Sequence, residues 1–361
     1  MRPSGAPPAY DRRVEQRALG RSGVAVSHVI LGCGNFGGVG SAPRLFGQGT
    51  SRDDALRLLD AAWDLGITTL DTADAYGGGR SEEYIGAWLA TKGADVRDRV
   101  VIATKTFNPM EDGGDRGLGA ARIRRQVESS LRRLGVERIP LYLAHAFDPD
   151  VPQEETLTAF DELVRHGTVG AVGASNFSAE QLAEALEISA LEGLTRYEWV
   201  QNAFSLLEQG DRETIFPLCH EHGLGFTPFA PLAGGWLTGK YRRGEEPPPG
   251  SRMTVRPEGS EHYRSGPTFD ALEAFERAAA DRDVSMAALA VAWLLHVPEV
   301  TAVVVGPNTV AQLAPVAEAL DVTLDTEERA SIGALKDLKS MLCGEAGTTI
   351  DAGAPSIVWD A

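Results

Sequence analysis

Three successive apolar runs of this 361-residue chain each end in an ionisable residue. The runs close with Asp71, Lys105 and His145, and Tyr76 follows shortly after the first of them. Short apolar runs bounded by polar or turn residues predict buried strands. Since the carboxyl ends of parallel strands gather at one edge of a sheet, the sequence predicts that these four side chains share one site.

The four residue types suit reversible proton transfer to a carbonyl oxygen. A phenol has a reference pKa of about 10, and the ammonium of Lys105 beside it is expected to lower the pKa of Tyr76. Asp71 would hold the lysine in place and charged, while His145 would hydrogen-bond and orient the carbonyl. Because no side chain supplies a hydride, this chemistry needs an external hydride donor.

Packing explains each of these residues when it is taken singly. A buried Asp–Lys pair is often structural, and a lone histidine at a strand end is often a satisfied polar group. Three successive strand ends that all carry ionisable residues nevertheless favour chemistry over packing. A metal centre is not predicted, because one histidine joins the cluster and its carboxylate is already paired with Lys105.

Eight candidate strands alternate with amphipathic helical patterns at the spacing of βα units. The predicted fold is therefore α/β, a single (β/α)8 TIM barrel with long loops at its C-terminal face. An N-terminal β-hairpin at 17–26 is predicted to cover the barrel floor. The strands are predicted near 28–33, 67–71, 100–105, 141–145, 168–174, 197–201, 224–229 and 302–305. The helices are predicted near 51–65, 81–92, 119–134, 155–166, 178–192, 211–222, 268–282, 284–297 and 308–319.

The predicted barrel spans residues 17–336. Residues 1–16 are predicted to be a disordered N-terminal segment, and residues 337–361 a C-terminal tail that is either disordered or folded over the barrel mouth. Between strands seven and eight, an insertion at 231–267 lacks a periodic pattern. Long loops of this kind in compact domains are typical of lids and binding loops.

Composition is that of a soluble globular protein, and the cysteine usage fits a reducing cytoplasm. The net charge of −17 argues against nucleic acid or an anionic membrane as partner. The longest apolar runs are too short to span a bilayer, and residues 1–17 contain no apolar core of a secretory signal. Cys33, Cys219 and Cys343 show no paired spacing, which predicts neither a disulfide framework nor a zinc site. The oligomeric state is not predicted.

Residues 32–37 match the pattern GxGxxG directly after a strand, yet a dinucleotide-binding Rossmann fold is not favoured. That fingerprint needs a helix that begins within the glycine run, so that its N–H groups meet the pyrophosphate. Here the chain continues as Gly38-Val-Gly-Ser-Ala-Pro43, and the next helix is predicted to begin near Ser51. A glycine-lined first loop of a barrel fits this segment better.

From about residue 17 to about residue 334 the chain resembles the aldo-keto reductase family. The family's catalytic tetrad falls on Asp71, Tyr76, Lys105 and His145, with the spacing of the first two intact. The resemblance implies an oxidoreductase that reduces an aldehyde, ketone or keto-sugar to an alcohol. The hydride would come from a nicotinamide cofactor and the proton from Tyr76.

The resemblance also implies a set of cofactor contacts along segments that match the family. Three of them surround the nicotinamide carboxamide, one aromatic stacks on the nicotinamide, and the others follow the pyrophosphate and the adenosine. In that order they are Ser175, Asn176 and Gln201; Phe229; Pro231, Leu232, Ala233, Gly235 and Lys240; and Gly306 and Gln312.

NADP(H) is the cofactor that the family implies by default, with NAD(H) as the alternative. Relatives that prefer NADPH place Lys or Arg where this chain has Gly306, Asn308 and Gln312. A 2′-phosphate would therefore lack a charge-assisted contact at these positions. The stacking position is tyrosine in many relatives; Phe229 keeps the π-face and loses the hydroxyl.

Substrate choice is expected to rest on loop residues at the barrel mouth. The candidates are Phe36, Phe107, Phe147, Asp148 and Trp236, although packing within the loops explains these aromatics equally well. A weaker likeness points to the branch that reduces nucleotide-linked keto-deoxysugars, and a broad aldehyde or ketone reductase fits as well. Two alternatives remain: a regulatory barrel similar to potassium-channel β subunits with little turnover, and a non-redox lyase or isomerase that uses the same cluster.

Overall fold

The chain forms ten strands within residues 14–337, the part that the computed structural model describes. Two of them, β1 (Gln16–Ala18) and β2 (Ala25–Ser27), pair in an antiparallel hairpin. The other eight are parallel, and each falls on a predicted strand. They are β3 (Val29–Gly32), β4 (Thr69–Asp71), β5 (Val101–Thr106), β6 (Ile139–Ala144), β7 (Val169–Ser175), β8 (Trp199–Gln201), β9 (Gly225–Phe226) and β10 (Val303–Val305).

The eight parallel strands follow the order β10-β3-β4-β5-β6-β7-β8-β9. Backbone hydrogen bonds also join the two ends of this order. Thr301 N donates to Phe226 O at 2.8 Å, and Val304 N donates to Pro228 O at 2.9 Å. The sheet is therefore curled into a ring, and the predicted (β/α)8 barrel is confirmed.

Twelve α-helices surround the strands in the described residues, and each of the nine predicted helical stretches contains one. The structure adds α3, α8 and α12. The first two of these are single turns, too short to give a periodic pattern in the sequence. The helices are α1 (Arg52–Asp64), α2 (Arg80–Ala90), α3 (Ala94–Arg97), α4 (Ala120–Leu134), α5 (Gln153–Arg165), α6 (Ala179–Glu192), α7 (Asp211–His222), α8 (Arg252–Val255), α9 (Gly266–Ala280), α10 (Met286–Leu295), α11 (Ala314–Ala319) and α12 (Thr326–Gly333).

Local signals explain where these helices begin and end. Helix α6 starts at a capping box, in which the Ser178 side chain accepts from Gln181 N while the Gln181 side chain accepts from Ser178 N. It ends at Gly193, whose φ of 67° lies in the left-handed region that favours glycine. Helix α10 is buried along its whole length, consistent with its almost wholly apolar sequence.

Alternation along the strands separates two apolar layers. In β3, Ile30 lies in the barrel interior with Leu141 and Trp199, whereas Val29 and Leu31 belong to the layer between the barrel and its helices. Successive strand residues point to opposite faces, so one short apolar run supplies both layers. This packing fixes the strand ends that carry the candidate site.

The N-terminal hairpin closes the barrel at the start of the strands, as predicted. Leu19 and Val26 of the hairpin join the interior cluster. Gly20, at the turn, has a φ of 53°, and a Cβ there would collide with the carbonyl oxygen of Glu198, the residue before β8. The opposite end of the barrel, where the strands finish, is thus the mouth.

The insertion at 231–267 is not a structureless loop. It contains α8 and three short 3₁₀ segments, Ala233–Thr238, Pro257–Gly259 and Glu261–Tyr263. Glu258 pairs with Arg44 of the first βα loop, so two loops are linked across the mouth.

The predicted segments 1–16 and 337–361 lie outside the described residues, apart from residues 14–16 and Asp337. Gln16 is the first residue of β1. Between residues 14 and 337, no helix is both long enough and apolar enough to cross a membrane.

Candidate active site

Three residues at the ends of successive strands meet Tyr76 at the barrel mouth. Asp71 is the last residue of β4, Lys105 lies near the end of β5, and His145 directly follows β6. Tyr76 begins a 3₁₀ turn in the loop after β4. Each of the four is at most 3% exposed, so the predicted juxtaposition is present in a site shielded from bulk water.

The ammonium of Lys105 is fully used by three acceptors. Its Nζ donates to Asp71 Oδ1 at 2.6 Å, to the carbonyl oxygen of Thr72 at 3.0 Å and to Tyr76 Oη at 3.3 Å. An ammonium has three N–H donors and no acceptor. Lys105 is therefore held in one orientation, with one N–H directed at the phenol oxygen.

Tyr76 and His145 face each other across the site. Tyr76 Oη lies 3.4 Å from His145 Nε2, and the two rings meet edge to face with centroids 5.4 Å apart. Because Lys105 already donates to Oη, the hydroxyl hydrogen of Tyr76 is free to point toward another acceptor.

Burial dominates the acidity of the phenol. Loss of hydration raises the pKa of Tyr76 to about 12, and the positive charge of Lys105 opposes this shift without cancelling it. Lys105 thus acts in the expected direction on the pKa of Tyr76, but the effect of burial, which the sequence did not predict, is larger. Tyr76 is protonated at neutral pH.

The lysine is charged and the histidine is neutral at pH 7. Burial lowers the pKa of Lys105, but Asp71 and Tyr76 raise it by more, so the pKa lies above its ordinary value and the lysine is charged. Burial and, next, the charge of Lys105 hold the pKa of His145 well below its usual range. The site at neutral pH thus combines an ammonium, a neutral phenol and a neutral imidazole.

Three predicted nicotinamide contacts lie beside these groups. Ser175 ends β7, and Asn176 follows it with a φ of 58°. The Asn176 side chain donates to the His145 carbonyl oxygen at 2.8 Å and to Ser175 Oγ at 3.1 Å. Gln201 ends β8 and donates to Asp71 Oδ2 at 2.9 Å. The structure brings all three to the site, and their contacts with a cofactor stay predictions.

The loop after β9 places two of the predicted pyrophosphate contacts in the left-handed backbone region. Ala233 and Gly235, both among the predicted pyrophosphate contacts, have φ values of 48° and 95°. The φ of Gly235 favours glycine there, and Lys240 Nζ lies 2.5 Å from where a Cβ would stand. Within residues 14–337 Lys240 forms no ion pair, which leaves its charge available to a phosphate. Phe229, Pro231 and Leu232 lie in the same segment, before Ala233.

Arg252 was not among the sequence predictions, yet the structure places it beside the same loop. It opens α8, and its Cγ lies 3.6 Å from where a Cβ would stand on Gly234. Burial and the nearby Arg256 lower the pKa of Arg252, while Tyr241 and Tyr76 act in the opposite direction. Among the described residues the Arg252 guanidinium has no hydrogen bond or ion pair. The one signal in the sequence was a cation directly after the Pro-rich turn of the insertion.

A network of uncharged amides occupies the predicted adenosine end. Gln312 Oε1 accepts from Asn308 N at 2.6 Å, and Asn35 of the first βα loop donates to Asn308 Oδ1 at 2.7 Å. Gly306 directly follows β10. The side chains at these four positions carry no positive charge.

Two aromatic residues proposed to contact substrate are packed inside the protein. Phe36 is fully buried in the main core. Trp236 is surrounded by Tyr241, Tyr263 and Phe269, with the nearest ring centroid 4.8 Å away. The structure thus shows packing contacts for Phe36 and Trp236, and a contact of either residue with substrate stays a prediction.

Phe107, Phe147 and Asp148 lie on the loops next to the tetrad. Phe107 is buried, and Phe147 packs edge-on against Phe177 at 5.8 Å. Asp148 is buried and accepts from Leu118 N at 2.7 Å and from Asp150 N at 3.0 Å. Its carboxylate therefore fixes loop backbone, and contacts of these three residues with substrate stay predictions.

No cluster of three or more metal-binding side chains occurs in residues 14–337. The positive-φ loop with Lys240 and Arg252 fits the phosphates of a dinucleotide, and the strand ends beside it fit a planar ring with a carboxamide. The arrangement can hold a carbonyl oxygen near Tyr76 Oη and His145 Nε2 while a cofactor lies alongside.

Comparison with known proteins identifies a family and several relatives of this chain. A match to the aldo/keto reductase family spans residues 28–337. YrpG, an uncharacterised oxidoreductase of Bacillus subtilis (strain 168), is 35% identical over 348 residues, which cover 94% of this chain and 99% of the relative. Versiconal hemiacetal acetate reductase of Aspergillus parasiticus is 30% identical over 338 residues, covering 87% and 95%. A protein of Oryza sativa subsp. japonica named "probable voltage-gated potassium channel subunit beta" is 32% identical over 317 residues, covering 86% and 92%.

The family match and the alignments with these relatives both extend over most of the chain and include the barrel and the four residues at its mouth. On these grounds the chain belongs to the aldo/keto reductase family and is an oxidoreductase.

Proposed function

We propose that this protein reduces a carbonyl group to an alcohol, with Tyr76 as the proton donor. One observation carries the proposal: Tyr76 Oη lies 3.3 Å from Lys105 Nζ and 3.4 Å from His145 Nε2, and all three side chains are buried. A carbonyl oxygen placed between the phenol and the imidazole would meet one acid and one hydrogen-bond partner. The family generally draws its hydride from NAD(P)H, which would supply the hydride here.

Each residue of the tetrad has a distinct task in this proposal. Tyr76 transfers its hydroxyl proton to the oxygen that becomes negative during reduction. Lys105 stabilises the phenolate left behind, since its N–H already points at Oη. Asp71 holds Lys105 in place through the 2.6 Å contact. His145 orients the carbonyl oxygen, and as a neutral imidazole it can donate one hydrogen bond.

The pKa of Tyr76 favours reduction at neutral pH. Burial raises the pKa of Tyr76 to about 12, so the acid form that reduction needs is present up to alkaline pH. Oxidation of an alcohol would need the phenolate, which forms only at high pH in the free protein. Bound cofactor changes the surroundings of the phenol, but the acid form remains the starting state for reduction.

Phosphate binding is assigned to the loop after β9. Lys240 and Arg252 lack counter-ions among the described residues and flank a backbone whose glycines allow close approach. Two cations that have no counter-ion within residues 14–337, in a chain of net charge −17, favour an anionic ligand at this place. NADP(H) is the proposed cofactor and NAD(H) the alternative, because no Lys or Arg stands at Gly306, Asn308 or Gln312.

A second candidate function is a regulatory barrel that binds the cofactor with little turnover. It is favoured by the likeness to the Oryza sativa protein, which is named as a potassium channel subunit. The tetrad argues for turnover, because a purely regulatory role gives no reason to keep a phenol, an ammonium and an imidazole in contact.

Binding and turnover, measured separately, distinguish these candidates. NADPH and NADH fluorescence titrations give cofactor affinity, and cofactor oxidation is followed with aldehydes, ketones, quinones and a keto-sugar nucleotide. Binding with turnover supports the reductase, and tight binding with no oxidation across the panel supports the regulatory barrel. An unchanged fluorescence spectrum with both cofactors would contradict both and favour the non-redox lyase or isomerase.

A further inference from the structure

Asn108 contacts the imidazole ring of His145 at Nδ1, the nitrogen that does not face Tyr76. It follows the end of β5 by two residues and is buried. Its Nδ2 is 3.3 Å from His145 Nδ1 and 3.2 Å from Ser41 Oγ. On the other side of the ring, His145 Nε2 is 3.4 Å from Tyr76 Oη. The imidazole is therefore held between a side-chain amide and the phenol.

A neutral imidazole carries its single N–H hydrogen on one of two nitrogens, and the partner of one nitrogen decides which. An amide NH₂ can only donate, so the nitrogen that it faces must accept. With Nδ2 of Asn108 at Nδ1, the hydrogen of His145 lies on Nε2. Nε2 is the nitrogen that faces Tyr76 and the space for a carbonyl oxygen.

Asn108 is anchored by a buried arginine from the first turn of α4. Arg122 Nη2 donates to the Asn108 backbone carbonyl at 2.7 Å. Its Nη1 donates to Thr106 Oγ1 at 2.7 Å and to the Gly117 carbonyl at 3.1 Å. Thr106 also accepts the backbone N–H of His145 through its carbonyl oxygen at 3.0 Å. One guanidinium thus fixes the backbone of the loop that presents the Asn108 amide.

We propose that Asn108 is a positioning residue that fixes His145 in the tautomer with its hydrogen on Nε2. In this tautomer Nε2–H donates to the carbonyl oxygen of the substrate while Tyr76 supplies the proton. With the opposite tautomer, an Nε2 lone pair would face the carbonyl oxygen and repel it. The effect on turnover rests on the proposed function, whereas the tautomer is a property of the protein itself.

The tautomer is measured directly by ¹⁵N NMR of the full chain with labelled histidine, with the His145 signals assigned by comparison with His145→Gln. The expected spectrum shows an unprotonated Nδ1 and a protonated Nε2 for His145 at neutral pH. A spectrum with the hydrogen on Nδ1 in the wild type overturns the inference. This result does not depend on any reaction being observed, so it stands apart from a failure to find a substrate.

Kinetics of two substitutions test the consequence. Asn108→Leu is expected to remove the tautomer preference and lower kcat by about 10- to 100-fold, the range known for partners of functional histidines at metal sites, with cofactor Kd unchanged. Asn108→Asp presents a carboxylate to Nδ1, which draws the hydrogen to Nδ1 and raises the pKa of His145. It is expected to add to the kcat profile an ionisation that the wild type lacks, with Lys105 and Tyr76 facing the same ring.

Ser41→Ala is the matched control, because it removes the other contact of the Asn108 amide and leaves the His145 contact. It is expected to keep the tautomer and to change kcat by less than about threefold. Asn108→Leu with wild-type kcat and an unchanged tautomer overturns the proposal. If Asn108→Leu does not fold, the wild-type spectrum and the pH profile of Asn108→Asp decide the matter.

Discussion

Gln201 donates its side-chain N–H to Asp71 Oδ2 at 2.9 Å, across the barrel mouth from β8 to β4. The other oxygen of that carboxylate accepts from Lys105 at 2.6 Å. One carboxylate therefore orients both the lysine beside the phenol and an amide proposed to face the nicotinamide. The Gln201 carbonyl oxygen, which is directed away from Asp71, is the group left to meet a carboxamide.

Gln201→Leu should weaken the cofactor site and disturb Lys105 together. It removes a buried donor to Asp71 and a predicted contact to the carboxamide, and each lost hydrogen bond of this kind costs about 1 kcal/mol. We expect cofactor affinity to fall by about 5- to 10-fold and kcat to fall as well. Fluorescence titration and steady-state rates measure these effects, with Gln153→Leu on α5 as the control. Unchanged affinity would show that Gln201 does not meet the cofactor.

Tyr76→Phe should abolish most turnover while leaving cofactor affinity nearly unchanged. The phenol acts as an acid in the transition state, and loss of such a group costs about 10²- to 10⁴-fold in kcat. Tyr84→Phe, a half-buried tyrosine of α2 outside the site, is the matched control. A Tyr76→Phe protein that retains most of its kcat would exclude Tyr76 as the proton donor.

Asp74 should make the protein less stable as pH rises. Burial, opposed by Arg122, raises the pKa of Asp74 to about 7, whereas the unfolded chain has an Asp pKa of about 3.9. Between these values the folded state holds a proton that the unfolded state releases, so the free energy of unfolding falls with pH over this window. At its steepest this contribution changes by about 1.4 kcal/mol per pH unit.

Asp74→Asn removes that titration. Urea unfolding at several pH values between 4 and 7 is expected to show the variant gaining stability relative to the wild type as pH rises. The neighbouring charges of Glu82, Arg122 and Arg133 are the same in both proteins. A difference in stability that is constant across this range would mean that Asp74 does not hold its proton in the folded state.

Lys240→Met and Arg252→Met should each weaken the binding of NADPH and of NADH to a similar extent, since both cofactors carry the pyrophosphate. A charge-assisted hydrogen bond is worth about 1.5 to 3 kcal/mol, so a loss of about tenfold or more is expected. Thermal stability should hardly change, because neither cation has an ion pair within residues 14–337. Lys92→Met on the outer surface controls for the change in net charge. Full affinity in both variants would place the phosphates elsewhere.

Gln312→Arg should strengthen the binding of NADPH relative to that of NADH. The substitution puts a cation at the predicted adenosine end, where a 2′-phosphate would accept a charge-assisted contact. The ratio of the two dissociation constants is expected to shift by about tenfold toward NADPH. Gln312→Met, which removes the same contact to Asn308 N without adding charge, is the control. Equal ratios in all three proteins would show that the adenosine lies elsewhere.

The strands and the tetrad were predictable because both depend on local pattern. A short apolar run that ends in a polar residue marks a strand and its end, which is why Lys105 and His145 appear where the sequence placed them. Parallel topology then brings the ends of β4, β5 and β6 together. Helix α12 was missed, although a capping box of Asp325 and Glu328 starts it, because too few apolar residues mark its face.

Other features depend on contacts between segments far apart in the chain. The net pKa of Tyr76 follows from burial, which residue spacing does not report, so the sequence predicted the effect of Lys105 and not the larger opposing effect of burial. Arg252, Asn108 and the Gln201–Asp71 contact belong to the same class. The role proposed for each depends on a contact with a residue from another loop or strand. The insertion that carries Arg252 also has no periodic pattern from which its position could be predicted.

The N-terminal hairpin closes the end of the barrel where the strands begin, so within residues 14–337 the barrel is open at its mouth. A cofactor along the loop after β9 and a carbonyl compound above Tyr76 would then both have to enter through the barrel mouth. Whichever molecule sits deeper must enter first and depart last, so we expect an ordered sequence of arrivals and exits. Product-inhibition patterns and cofactor release rates would reveal that order.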